Sequence, residues 1–259
     1  MQNFNYHTHT FRCGHTDMSM SDEDYVKEHI KKGFTKMAFT DHAPQKEKID
    51  KRLYMRMEYE QIDEYLSSIN TLKHKYKGEI EIKTGFEIEY LPNQLHNLDE
   101  LKRRSEILIL GQHFVYNEDK SDLKVFRVDK FSDAELIRYA NYISEAMELG
   151  LPDIVAHPDL FMLSSDCFGS AEEKATRIIC ASAEKTGIPL EINLGNIMFG
   201  KIHYPCKEFW EIASEYKLNV VYAIDAHNKE QIRAFEKTIE IATERIGKST
   251  VDKLHFVTP

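Results

Sequence analysis

The stretch Phe4-Asn5-Tyr6-His7-Thr8-His9 decides how the chain is read. It is a short apolar run that closes on His-x-His, and strand side chains alternate with a period of two, so both imidazoles fall on one face. Six further runs carry the strand pattern: residues 36–42, 80–87, 107–113, 154–157, 190–194 and 220–227. A helical pattern follows each of them. Ser21 can cap a helix whose Val26 and Ile30 share a face, with Gly33 where it would stop. Ile62, Leu66, Ile69, Leu72 and Tyr76 recur at three- and four-residue steps before Gly78. Residues 133–150, 171–187, 205–216 and 229–246 repeat the plan.

Strands alternating with helices along a chain close to the ~250 residues of a closed α/β barrel predict a parallel barrel, with seven strands counted rather than eight. An open doubly wound sheet is the alternative. Against it, no G-x-G-x-x-G follows the first strand and no P-loop occurs anywhere. No Pro/Gly/Ser-rich linker divides the 259 residues, so one domain, 1–259, is expected.

Lys and Arg number 34 against 43 Asp and Glu, a net charge of −9, which repels polyanions and argues against a nucleic-acid partner. A small anionic substrate would need local positive charge, such as metal ions. The first residues lack the pattern of a signal peptide and no stretch approaches a membrane span, so a soluble, cytoplasmic protein is expected. Cys13, Cys167, Cys180 and Cys206 are scattered without a C-x-x-C pair, which fits reduced thiols. The run Lys102-Arg103-Arg104 reads as a solvated helix face.

Chemistry collects at the strand ends. His7 and His9 end the first strand, His42 the second, Glu87 the third, His113 the fourth, His157 the fifth, and Asp225 with His227 the seventh. In a parallel barrel these ends share one rim, where barrel enzymes place their active sites. A single His at a strand end is more often a satisfied polar residue than a ligand; five such ends together reverse that balance. His7/His9 and Asp225/His227 each have the spacing to grip one metal. Imidazoles and carboxylates without thiolates suit zinc, manganese or iron, and the set exceeds the four ligands of a structural zinc, so a metal cluster is inferred. His29, His74, His96, His203 and His255 are read as surface or packing residues, although the loop 195–201 before His203 has the length to reach the rim.

The ordered set His7-Thr8-His9-Thr10, Thr40-Asp41-His42-Ala43-Pro44, Gly85-Phe86-Glu87, His113, Ala156-His157-Pro158-Asp159 and Asp225-Ala226-His227 resembles the polymerase and histidinol phosphatase (PHP) superfamily along the whole chain. His15 in Cys-Gly-His and the Thr-Asp-His-Ala-Pro segment are most similar to the histidinol-phosphatase branch. The resemblance implies a distorted (β/α)7 TIM-like barrel with two to three divalent metals at the C-terminal rim. By matching position, His7, His9, Glu87 and Asp225 would hold the first metal. Glu87 would bridge to the second, completed by His113 and His157, and His15, His42 and His227 would hold the third. Glu89 competes with Glu87 on the same strand face, and the family pattern favours Glu87. Cys13 is read as a bystander thiol.

Clustered divalent metals lower the pKa of a bridging water toward roughly 7 and clamp phosphate oxygens, so hydrolysis needs no protein nucleophile. Arg12, Arg52 and Arg56 are in reach to complete the clamp, with Arg12 and Arg56 taken as phosphate-binding. The proton for the leaving alkoxide could come from Asp225 or from a metal-bound water. The long segment 45–57 reads as a substrate lid or a solvated loop. The leading function is a phosphomonoesterase acting on L-histidinol phosphate, a substrate supplied by the resemblance alone. The alternatives are a phosphodiesterase or nucleotide phosphoesterase, and a protein-tyrosine phosphatase. Asp41, Glu89 and Asp159 near the rim would add attraction for a cationic leaving group.

Overall fold

The computed structural model describes residues 2–45, 55–92, 95–126, 129–165, 167–195, 197, 200 and 203–259. In chain order the elements are β1 (Phe4–Asn5), α1 (Asp22–Lys32), β2 (Lys36–His42), α2 (Ile62–Lys75), β3 (Glu81–Ile88), α3 (Leu95–Arg104), β4 (Ile107–Leu110), β5 (Phe114–Tyr116) and β6 (Leu123–Val125). They continue with α4 (Asp133–Glu148), β7 (Ile154–Val155), α5 (Ser170–Thr186), β8 (Leu190–Asn193), α6 (Lys207–Ala213), β9 (Asn219–Ala223), α7 (Lys229–Arg233), α8 (Phe235–Ile246), α9 (Lys248–Val251) and β10 (His255–Phe256).

The local signals act as expected at α1. Ser21 and Asp24 form a reciprocal capping box, and Gly33 takes the left-handed conformation that ends the helix. Tyr25, Val26 and His29 form its buried face. Residues 229–246 are not one helix: the chain breaks at Ala234 into α7 and α8.

All seven expected strands join one parallel sheet in the order β1-β2-β3-β4-β7-β8-β9, and β10 adds an eighth that the sequence reading lacked. The β5–β6 hairpin stands apart, between β4 and α4. The sheet curls until its ends meet at the carboxyl side, through a parallel bridge from Thr8 to Ala226. Toward the amino side, β10 pairs with Asn219 and Val220 of β9. There, side-chain amides connect the chain around β1 to β9: Gln2 Nε2 donates to Tyr222 O, Tyr222 N–H to Gln2 Oε1, and Ile224 N–H to Asn5 Oδ1. This substitution of side chains for ladder bonds is the distortion of the barrel. Phe4, Tyr6, Ala38, Ile107, Ile109, Ile154, Ala156 and Val221 fill one apolar cluster, while a larger one packs the helices around the sheet.

No helix among the described residues is long and apolar enough to cross a membrane. The four cysteines are free. Arg104 pairs with Asp63 and Glu100, and Lys102 bonds to Gly150 O, in keeping with a solvated face.

Candidate metal centre

The Thr8–Ala226 bridge brings two remote tripeptides side by side. His9 N–H donates to Ala226 O and Ala226 N–H to His7 O, so His7 and His9 lie against Asp225 and His227. Asp225 Oδ1 is 3.3 Å from His7 Nε2 and 3.1 Å from His9 Nε2. The backbone has positive φ at both Asp225 and His157, a sign that non-glycine residues rarely hold and that collects at functional sites.

Glu87, near the end of β3, stands at the middle. Its Oε2 lies 2.7 Å from His42 Nδ1, 3.5 Å from His9 Nε2 and 3.7 Å from His7 Nε2; its Oε1 lies 2.9 Å from His157 Nε2 and 3.8 Å from His113 Nε2. On the far side, His15 Nε2 and His227 Nε2 approach to 2.8 Å. The structure therefore brings His7, His9, His15, His42, Glu87, His113, His157, Asp225 and His227 into one chain of contacts. His113 lies beyond β4, next to the hairpin, rather than at the end of the strand. His9 packs its ring on both His42 and His227, so it sits between the expected first and third sets.

Three observations show that these residues suit divalent cations. His9 Nδ1 and His157 Nδ1 are buried without a hydrogen-bond partner, and His42 Nδ1 and Glu87 Oε2 meet without hydrogen-bond geometry; polar atoms are unfavourable in that state unless something binds them. His15 Nδ1 donates to Cys13 O and His227 Nδ1 to Asp225 O, so in the neutral rings two Nε2 lone pairs face each other and need a cation between them. Third, sets such as His9/His42/His227, His7/His157/Asp225 and His7/His9/Glu87 place their ligand atoms within 4.8 Å of one another. Cys13 is grouped with His15 and His227 in the same way, closer than a bystander reading requires.

Gly111 makes room for this arrangement. A Cβ there would fall 1.8 Å from Glu87 Oε1 and 2.5 Å from its Cδ, so the carboxylate lies directly on the backbone just past β4. Around the cluster a ring of acceptors aims the imidazoles. His7 Nδ1 donates to Glu191 (2.9 Å), and His113 Nδ1 donates to Glu89 (2.8 Å), which also takes the His113 N–H. Asp41 accepts from Thr10 N–H and its hydroxyl, and lies 3.5 Å from His9 Nδ1.

The electrostatics divide the cluster. Burial alone would lower the pKa of His7, but Glu191, Asp225 and Glu87 overcome it and raise it well above the usual value; His9 is carried up to about 9 against the same burial, by Asp225 and Asp41. Burial would raise Glu87 and Asp225, yet the surrounding histidines hold both well below the carboxylate range. In the other half, burial lowers His42 and His15, and burial with His9 and His15 pushes His227 down to about 3. Those imidazoles are neutral ligands already, whereas cations entering the first half displace protons.

Several expectations are corrected here. Arg12 is committed to internal partners: its Nε and Nη2 hold Glu64 at 2.8 Å, and its Nη1 donates to Asp22 and Thr10. Arg56 is coupled to the site indirectly, donating to Glu89 at 2.7 Å and to Ala43 O. Asp41, Glu89 and Asp159 are buried with internal partners, Asp159 taking Cys206 N–H and Trp210 Nε1–H. Glu89 is the hydrogen-bond partner of His113, while Glu87 is the carboxylate that meets the imidazoles on both sides, as the expected preference for Glu87 requires. His29 is a satisfied core residue, accepting from Asn5 Nδ2 and donating to Tyr25 O, while His74, His203 and His255 are exposed. Arg52, most of the lid segment 45–57 and most of the loop 195–201 lie outside the described residues.

Glu191, Asn193 and Gly111 were missed in the sequence. The charged Glu191 inside the short strand run of residues 190–194 was the available signal, because a Glu in a buried strand must have a partner.

A parallel, curled α/β sheet with a His/Asp/Glu cluster at its carboxyl rim defines a metal-dependent hydrolase architecture, and the chain belongs to the PHP domain family, which matches residues 5–194. The relatives are specific. The histidinol-phosphatase of Bacillus subtilis is 26% identical over 272 residues, spanning 93% of this chain and 99% of that protein. A solved structure from Listeria monocytogenes superposes with a TM-score of 0.77 at 20% identity, covering 90% of this chain and 99% of the other. The histidinol phosphate phosphatase of Lactococcus lactis, solved with zinc, L-histidinol and phosphate, gives 0.69 at 16% identity over 98% and 95% of the two chains; at these identities the solved structures speak for the fold.

Proposed function

We propose that the chain is a metal-dependent phosphomonoesterase that hydrolyses L-histidinol phosphate to L-histidinol and phosphate. The observation that carries the reading is the complete ligand complement: each matched position holds a side chain able to bind a cation, in a chain similar end to end to a histidinol-phosphatase. Two to three ions of zinc, manganese or iron are assigned to it. His7, His9, Glu87 and Asp225 would hold the first, Glu87 with His113 and His157 the second, and His15, His42 and His227 the third. When bound, such ions supply a water acidic enough to attack near neutral pH and the positive charge that phosphoryl transfer requires.

The chain's own residues then have separable tasks. Glu87 carries the negative charge shared between neighbouring ion positions. Asp225, beside His7 and His9, is assigned the proton for the leaving oxygen, with a water at the ions as the alternative source. Arg56 is assigned to phosphate, at the edge of the site over the Phe114 ring. The chain acts as one domain, 1–259, and a cytoplasmic setting suits its free thiols.

Elemental analysis after metal-replete expression should find two to three transition-metal ions per chain, and strong chelator should abolish turnover. Comparing kcat/KM for histidinol phosphate, a phosphotyrosine peptide, a nucleotide and a bis-aryl diester on the same loaded enzyme should place histidinol phosphate first and the diester far behind. A preference for nucleotide or phosphotyrosine peptide would overturn the substrate and leave the metal chemistry standing.

A further inference from the structure

β8 is the strand of the seven-strand core that supplies no ligand, and it runs between β7 and β9, the strands that lead into His157 and Asp225. Its two polar residues, Glu191 and Asn193, share a strand face, and both are buried. Glu191 accepts from His7 Nδ1 with both oxygens, at 2.9 and 3.2 Å. Asn193 Nδ2 donates to Glu191 Oε1 at 2.6 Å and to Asp225 Oδ2 at 3.2 Å. The orientation of that amide is fixed, because its Oδ1 accepts the Gly195 N–H at 3.0 Å.

The geometry points to Glu191 and Asn193 as a positioning pair that builds the first ion position, by holding His7 and Asp225 as a matched set through one continuous hydrogen-bond path. The inference rests on the metal-centre reading above. Glu191 sets the His7 tautomer: with the proton held on Nδ1, Nε2 presents its lone pair toward Asp225 and His9. Asn193 holds the Oδ2 of Asp225 on β8, which leaves Oδ1 facing the two imidazoles. Such partners of metal-binding histidines typically contribute 10- to 100-fold to ion affinity.

Glu191→Gln tests the pair without changing its size. A glutamine there has two orientations, and both fail. With Nε2 in place of Oε2, a donor faces His7 Nδ1–H; with Nε2 in place of Oε1, it faces the pinned Asn193 amide. Zinc affinity is measured on metal-stripped protein by competition with a chromophoric chelator, and the His7 tautomer is read from imidazole ¹⁵N shifts of the zinc-loaded protein. The expected result is one zinc position weakened roughly 10- to 100-fold, with the His7 Nδ1–H resonance shifted by the loss of its carboxylate acceptor. Asn193→Ser, which keeps the Glu191–His7 bond, should weaken the same position several-fold while leaving the His7 signature in place; it also decides the matter should Glu191→Gln not fold. Wild-type affinity at that position in the folded variants overturns this assignment alone. Wild-type protein that takes up no zinc overturns the metal-centre reading, and this assignment with it.

Discussion

Replacing Arg12 by Met separates two roles that the sequence left indistinguishable. In the structure Arg12 is buried and its bonds run to Asp22, Glu64 and Thr10. The cost of losing it is unequal among these partners. Asp22 is buried too and, among the described residues, would keep only the Ser68 hydroxyl, so a buried charge loses its main counter-ion, which costs about 2–3 kcal/mol. The Glu64 side chain is 61% exposed and turns to water, so its share is below about 1 kcal/mol. Together these predict a loss of about 3 kcal/mol, or roughly 6–12 °C in Tm for a chain of this size.

Circular-dichroism melting of the chelated protein measures the loss, and KM for a phosphomonoester on the loaded enzyme is measured beside it. The variant should melt early with KM within about twofold of wild type. The pH dependence has a definite sign: hydrogen bonds from Arg12 hold the Glu64 carboxyl below its ordinary value of 4.5, so that contribution is present above this pH and is lost as the pH falls below it. The gap between wild type and variant therefore narrows on acidification. An unchanged Tm with a tenfold higher KM would refute the reasoning and return Arg12 to the phosphate clamp.

Glu87→Gln should lower kcat by roughly 10²-fold or more, whereas His203→Ala, on an exposed side chain, should change little; the reverse ranking in steady-state kinetics would undo the ligand assignment. Gly111→Ala should approach the Glu87 variant in kcat, because its Cβ would displace the carboxylate and misplacement by about 1 Å can cost 10²-fold; near-wild-type turnover would show that Glu87 tolerates the shift. His29 is pushed down to about 4 by burial, so its contribution to stability is complete above about pH 6.5 and lost as pH falls through 4. His29→Gln should flatten that limb of the denaturant midpoint against pH, and an unaltered slope would place the acid sensitivity elsewhere.

The assigned ligands other than His15 were legible because each sits at or just past the end of a strand, where local periodicity is enough to place it; His15 lies well beyond β1 and came from the family resemblance alone. Spacing put His7 with His9, and Asp225 with His227; it could not say that Thr8 and Ala226 would bridge, which is a matter of how far the sheet curls. β10 was missed because a two-residue strand has no periodicity to read, and the break at Ala234 because the apolar stripe passes through it. The sequence misplaced Arg12 for a different reason. A guanidinium near a phosphate site looks the same in sequence whether it is committed to Glu64 or to a ligand, and Glu64 comes from a segment 52 residues away.

That commitment of charge bears on how a phosphate would be held. Arg12 is matched by Asp22 and Glu64, and Arg56 by Glu89, so neither guanidinium brings uncompensated positive charge to the rim. Glu87, Asp225 and Glu191 add negative charge within the same cluster, on a chain whose net charge is already −9. A dianionic monoester would meet repulsion from this protein alone. The protons that raise His7 and His9 offset part of it, but ions entering the first half displace them. Divalent cations therefore have to supply both the attraction for the substrate and the charge stabilisation of its hydrolysis, and Arg56 is left to orient a phosphate that the ions attract.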